Sequence, residues 1–183
     1  MERLKTDLPI SSESLVEIRD YWMDLKQSRL MPTKQQFNPA AIVRHLPHVV
    51  LVDVFQEPLR FRYRLLGTKI TELAGRNSTG KWLDEDLYGD KTDDVVWMFR
   101  NCASSKRPIA VREQIQFVDR SWVTVDVAAF PLGDTEGNIT VILSVVDLTP
   151  VDAKLPAPGT TFILNWQTTE ATSQSSSDTQ TVS

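Results

Sequence analysis

Between Ser11 and Gln27 the apolar residues Leu15, Ile18, Trp22 and Leu25 return at intervals of three or four, the spacing of one helix face. Ser11 and Ser12 stand where an N-cap belongs, acidic Glu13, Glu17 and Asp20 follow, and Pro32 closes the segment. "NPAAIVRHLP" predicts a shorter helix, capped by Asn38, with Pro39 in its first turn and Pro47 as its stop. Beyond Pro47 the period drops to two. Val49 to Phe55 and Arg60 to Leu66 read as strands joined at Glu57-Pro58. In the second, Phe61, Tyr63 and Leu65 are predicted to point one way and Arg60, Arg62 and Arg64 the other.

Gly67 ends that strand, and Thr68 to Ala74 predicts a short helix. A longer one follows from Asp90 to Ser105, with Val95, Phe99 and Cys102 in line. Ile109 to Val118 and Trp122 to Leu132 flank Asp119-Arg120 as a hairpin, and Ile139 to Leu148 is the last clear strand. Val123, Val125 and Val127 alternate with Trp122 and Phe130, so these strands are expected to be covered on both faces. The implied organisation is a helical extension over 1–47, a folded domain over 48–150 and a tail over 151–183. Between Thr160 and Ser183, 12 of 24 residues are Ser or Thr, a composition that favours disorder. "TFILNWQ" is the one stretch there able to dock as a strand.

Composition narrows the function classes. Of 183 residues, 41% are hydrophobic and 24% charged, and the net charge is −4. An acidic chain lacks the basic field of a general nucleic-acid binder, so no nucleic-acid partner is expected. The N-terminus has no apolar core of a signal peptide and the apolar runs are short, so the expectation is a cytoplasmic protein that does not enter a membrane. Cys102 is the single cysteine, which excludes an internal disulfide framework.

"AGRNSTGKW", Ala74 to Trp82, matches all but the last position of a phosphate-binding loop. Trp82 replaces the hydroxyl that would hold magnesium, and a helix rather than a strand leads into the glycines, so the loop is read as structural. Gly75 suits a left-handed helix cap, and Asn77, Ser78 and Thr79 can close the turn onto its own amides. His45 and His48 frame Pro47, which breaks the helix that would bring both rings to one metal. Cys102 has no histidine on its helix and reads as a core residue. The acidic pairs Glu85-Asp86 and Asp93-Asp94 read as solvated charges. No catalytic or metal site is expected.

The succession from Val49 to Leu148, with "RFRYRLLGTKITELAGRNSTGKWLDE" at its centre and "REQIQFVDRSWVTVDVAAFPL" and "GNITVILSVVDLT" at its end, resembles the PAS domain. Tyr21-Trp22, Met31-Pro32, "NPAAI…LPHVVLVDV" and "FRYRLLGT" in that order are similar to a single-domain PAS subgroup best known from alphaproteobacteria. The resemblance implies an α+β fold, a five-stranded antiparallel sheet with short helices on one face and an N-terminal helix. It also implies a sensory or protein-interaction module rather than an enzyme, holding a small ligand between sheet and helices or binding a signalling protein partner. A ligand-free interaction domain and an enzyme on the same scaffold stand as alternatives.

No cofactor is assigned. Ser78 occupies the position of the reactive cysteine in flavin photosensors, and the long helix lacks the histidine of haem-binding members. Pocket candidates are Tyr63, Leu65, Leu73, Trp82, Val95, Phe99 and Phe117. PAS relatives use a helix like the first one in dimers, so Leu15, Ile18, Trp22 and Leu25 are expected at a homodimer interface with Trp22 near its centre; an intramolecular lid is the alternative.

Overall fold

The computed structural model describes residues 2–116, 122–148 and 158–166, without the side chains of 7 and 116. Seven strands form one mixed sheet: β1 (Glu2–Pro9), β2 (Val49–Gln56), β3 (Leu59–Leu66), β4 (Ile109–Gln116), β5 (Trp122–Gly133), β6 (Ile139–Asp147) and β7 (Thr160–Asn165). Their spatial order is β1-β7-β4-β5-β6-β2-β3. The expected five antiparallel strands form the β4-β5-β6-β2-β3 portion. The correction is at one edge, where β7 pairs antiparallel with β4 and β1 pairs parallel with β7. "TFILN" thus docks, inside the segment expected to be a tail; β1 lies inside the expected helical extension. Residues 167–183 and the Asp119-Arg120 turn lie outside the described residues.

Among the described residues four α-helices accompany the sheet: α1 (Glu13–Lys26), α2 (Thr68–Ala74), α3 (Glu85–Tyr88) and α4 (Thr92–Ser105). A 3-10 helix, Pro39–His48, begins at Asn38, whose side chain accepts from the Ala40 N–H. The two sheet faces are covered differently. On the inner face α4 packs through Val96, Phe99, Cys102 and Ala103; the Phe99 ring lies 6.0 Å from that of Phe61. On the outer face α1 lies across β5 and β6. Its Leu15, Ile18 and Trp22 are buried at 0%, 0% and 2% exposure, and the Trp22 indole donates to the Pro131 carbonyl at 2.8 Å.

That burial corrects the expected dimer centre. Leu15, Ile18 and Trp22 are consumed by their own sheet and Leu25 is half-buried, so the first helix is an intramolecular lid. The physical reason is the sheet itself. Ala128, Phe130, Leu143 and Val145 make the outer face of β5 and β6 as apolar as the inner one, and α1, although far upstream in sequence, supplies the apolar stripe that removes it from water.

A polar row crosses this otherwise apolar outer face. Arg112, Asp126 and Asp147 stand side by side on β4, β5 and β6. Arg112 and Asp126 are fully buried and bidentate, Nε to Oδ1 at 2.6 Å and Nη2 to Oδ2 at 2.7 Å. Arg112 Nη2 also reaches Ser11 Oγ at 3.4 Å. Asp147 accepts a short hydrogen bond from Ser12 Oγ. Ser12 is at the same time the N-cap of α1, its hydroxyl accepting from the Leu15 N–H at 3.1 Å. The helix is therefore pinned to the sheet through its cap. Among the described residues no helix is long and apolar enough to cross a membrane.

Candidate functional site

β2 and β3 pair with a bulge. Val52 faces Tyr63, but Leu51 faces Leu65, so Arg64 is an extra residue. Side chains alternate, and one extra residue reverses every later one. Tyr63 therefore points inward with Phe61, while Leu65 turns outward and is 41% exposed. Leu66 takes the inward place expected for Leu65. Next, Gly67 lies against the 3-10 helix, where an added Cβ would meet the Pro47 and Leu46 carbonyl oxygens at 2.3 and 2.4 Å. Only glycine lets α2 start so close to that segment.

α2 ends at Gly75, left-handed at φ 63°. The Asn77 side chain accepts from the Thr79 N–H at 3.0 Å, and Gly80, at φ 82°, turns the chain back. Residues 80–83 then run along β3. Gly80 N–H donates to the Tyr63 carbonyl (2.7 Å), Tyr63 N–H to Lys81 (3.0 Å) and Leu83 N–H to Phe61 (2.9 Å). The Lys81 N–H bonds Ser78 O at 3.0 Å. The Thr79, Gly80 and Lys81 amides are thus engaged inside the chain, closing the sheet edge.

The turn roofs a cleft of about 620 Å³, within the usual range for small-molecule sites. Tyr63 and Leu66 of β3, Ile70 and Leu73 of α2, Ile115 of β4, and Val146 with Leu148 from the end of β6 supply the walls. Arg76, Ser78 and Tyr88 give its polar groups. The Tyr63 and Tyr88 hydroxyls are 2.6 Å apart. Burial, reinforced by Tyr88, pushes the Tyr63 phenol well above its ordinary range against the opposing pull of Arg76. The Tyr63 ring is thus a neutral hydrogen-bonding group at physiological pH. Arg76 is exposed at the cleft mouth, its guanidinium 5.8 Å from the Tyr88 ring.

Of the residues expected to line a pocket, Tyr63 and Leu73 meet here. The others are corrected. Leu65 is turned away by the bulge. Trp82 pairs with Arg62 across the β3 edge and stacks outside the cleft, 3.9 Å from the Arg60 guanidinium and 4.9 Å from the Phe55 ring. It borders a second hollow of about 380 Å³ with Leu59, Arg60, Asp84 and Arg100. Phe99 is buried in the core and Val95 packs beside it. Phe117 lies outside the described residues. Leu66, Ile70, Arg76, Ser78, Tyr88 and Val146 were not anticipated. Among the described residues no cluster of three His, Cys, Asp or Glu side chains could hold a metal; His45 instead contacts Glu17 at 2.6 Å.

The PAS domain family model matches residues 10–146. No curated protein matches. Among solved structures the chain is similar to Vibrio cholerae VqmA in a ligand and DNA complex (10% identity, TM-score 0.49, 79% of this chain and 59% of that one). It is also similar to the PAS domain of Bordetella pertussis BvgS (15%, 0.47, 63% and 90%). A Rhodobacter sphaeroides LOV protein matches at 11% and 0.45, over 64% and 71% of the two chains. The matches span between half and three fifths of the VqmA chains.

Proposed function

Because the chain belongs to the PAS domain family, we propose that it is a non-enzymatic sensory module that takes a small molecule into the cleft beneath the glycine turn. The signal passes to α1 and from there to a protein partner. The Tyr21-Trp22, Met31-Pro32 and "FRYRLLGT" features further favour the single-domain subgroup known from alphaproteobacteria.

One observation carries this reading. Val146 and Leu148 line the cleft, while Asp147 between them points to the opposite face and holds the cap of α1 through Ser12. Alternation along a strand makes that coupling geometric. A ligand that shifts the end of β6 on one side alters the α1 cap on the other, and it moves the equilibrium by its differential affinity for the two arrangements.

Assembly as a homodimer is part of the proposal, but not through the buried stripe. Met23, Leu30 and Val43, at 50%, 55% and 66% exposure, are exposed apolar side chains that a second copy would cover.

The experiment is a thermal-shift screen of neutral and charged small molecules on the full chain, followed by amide hydrogen exchange on hits. A cleft ligand should change exchange at the first turn of α1, and Ser12→Ala should remove that change while ligand still binds. Ligands whose binding survives Leu73→Trp, or that leave α1 exchange unaltered, would refute the reading.

A further inference from the structure

We infer that the cleft selects a monoanionic amphipathic carboxylate, with its apolar body between α2 and β6 and its carboxylate at Arg76 and the tyrosine hydroxyls. This rests on the sensory reading and names its ligand class. The cleft's polar complement is one-sided. Tyr63 and Tyr88 share one hydrogen bond at 2.6 Å; two phenols have two protons, so one remains to donate. Ser78, 6% exposed, adds a hydroxyl. Among the described residues Arg76 is the single charged residue in the lining and no carboxylate pairs with it; its guanidinium lies 5.8 Å from the Tyr88 ring and its charge acts on the Tyr63 phenol.

Donors therefore converge where no carboxylate of the described residues lines the cleft. Among the described residues a cationic ligand finds no counter-charge, and a neutral apolar one leaves the spare phenol proton and the guanidinium unused. A carboxylate accepts both, and guanidinium with carboxylate is a matched planar pair. One cation does not balance a polyphosphate, and the Gly80, Lys81 and Thr79 amides of the glycine turn are already bonded to Tyr63, Ser78 and Asn77. The walls set the remainder: Leu66, Ile70, Leu73 and Val146 call for an alkyl or aryl body.

The test uses the full chain, with octanoate and 3-phenylpropanoate as probes and octanamide and 3-phenylpropanamide as uncharged counterparts, in isothermal titration at low salt. The acids should bind at least about tenfold more tightly than the amides, the scale of a charge-assisted hydrogen bond. Arg76→Gln, at an exposed position, should bring acid and amide together. Tyr88→Phe should weaken both, and its melting temperature serves as the folding control. Equal binding of acids and amides, or an acid preference that survives Arg76→Gln, overturns the ligand class and leaves the sensory reading standing. Binding of neither class overturns it too, and the sensory reading falls with it if the wider screen also finds no cleft ligand.

Discussion

Asp126→Ala should be among the most damaging single substitutions in this protein, although Asp126 touches no part of the cleft. Its carboxylate and the Arg112 guanidinium are both fully buried, and two hydrogen bonds of 2.6 and 2.7 Å join them. Arg112 Nη1 already lacks a hydrogen-bond partner, and Ser11 at 3.4 Å is a weak contact. Deleting the carboxylate leaves a cation in the interior with almost nothing to replace its lost water. Breaking a buried pair in this way costs about 3–5 kcal/mol. At ~2–4 °C per kcal/mol for a chain of this length, the melting temperature should fall by roughly 6–20 °C.

The double variant Arg112→Met with Asp126→Leu removes both charges and keeps most of the volume. It should recover to near the wild type or above, because the pair's own desolvation cost disappears as well. Urea unfolding followed by tryptophan fluorescence, with circular dichroism in parallel, measures all three proteins. A single variant within about 1 kcal/mol of wild type would refute the reasoning. So would a double variant as unstable as the single one; the row would then not be a self-contained ion pair.

Gly67→Ala should destabilise at the upper end of the ~1–3 kcal/mol expected of overpacking, since the new Cβ meets two backbone oxygens rather than a movable side chain; an unchanged melting temperature would disprove the contact. Burial raises the Glu113 carboxyl above its ordinary value of 4.5, with Asp94 adding to the shift and Thr161 and Arg3 opposing it. The folded state therefore keeps this proton to higher pH than the unfolded one, and stability falls as pH rises from the ordinary carboxylate range through the raised value. Glu113→Gln should accordingly raise the melting temperature at pH 8 relative to wild type but not at pH 4; an equal gain at both would show the charge to be irrelevant. Cys102 is fully buried and its thiol is pushed well up by burial, so iodoacetamide at pH 8 should label it only after urea unfolding, and rapid labelling of the native protein would contradict the packing of α4.

Most of the element pattern could be read from period and punctuation. Thr68 to Ala74 is helical over the span its flanking glycines predict, and the central five strands begin within a residue of their expected starts. What escaped was mostly non-local. "ERLKTDLP" carries no apolar alternation because β1 is an edge strand with one neighbour, and its place comes from pairing with residues 160–165. The burial of Trp22 depended on whether the sheet's outer face was met by its own helix or by another chain, a choice that local pattern does not encode. In the cleft, Tyr63 followed from alternation, and Leu73 from helix spacing. Leu65 failed because a single bulged residue at Arg64 reverses alternation without a glycine or proline to mark it. Trp82 failed because a bridge to Arg62 turns it to the outer face. Arg76, Ser78 and Tyr88 share no period; a turn and a four-residue helix bring them together.

The parallel pairing of β1 with β7 also fixes an order of events during synthesis. Glu2 is matched with Thr160, and Lys5 with Ile163, so β1 has no partner until almost the whole described chain has left the ribosome. Strands β2 to β6, all within residues 49–147, can assemble before that moment, and α1 can already close over β5 and β6. The nascent protein thus passes through a stage in which the sheet is formed but β4 presents an open edge and residues 2–9 hang beside it. An unpaired strand and an open edge are complementary within one chain and equally between neighbouring chains. On a crowded polysome, the competitor to correct closure is therefore the β1 or β7 of the next nascent copy.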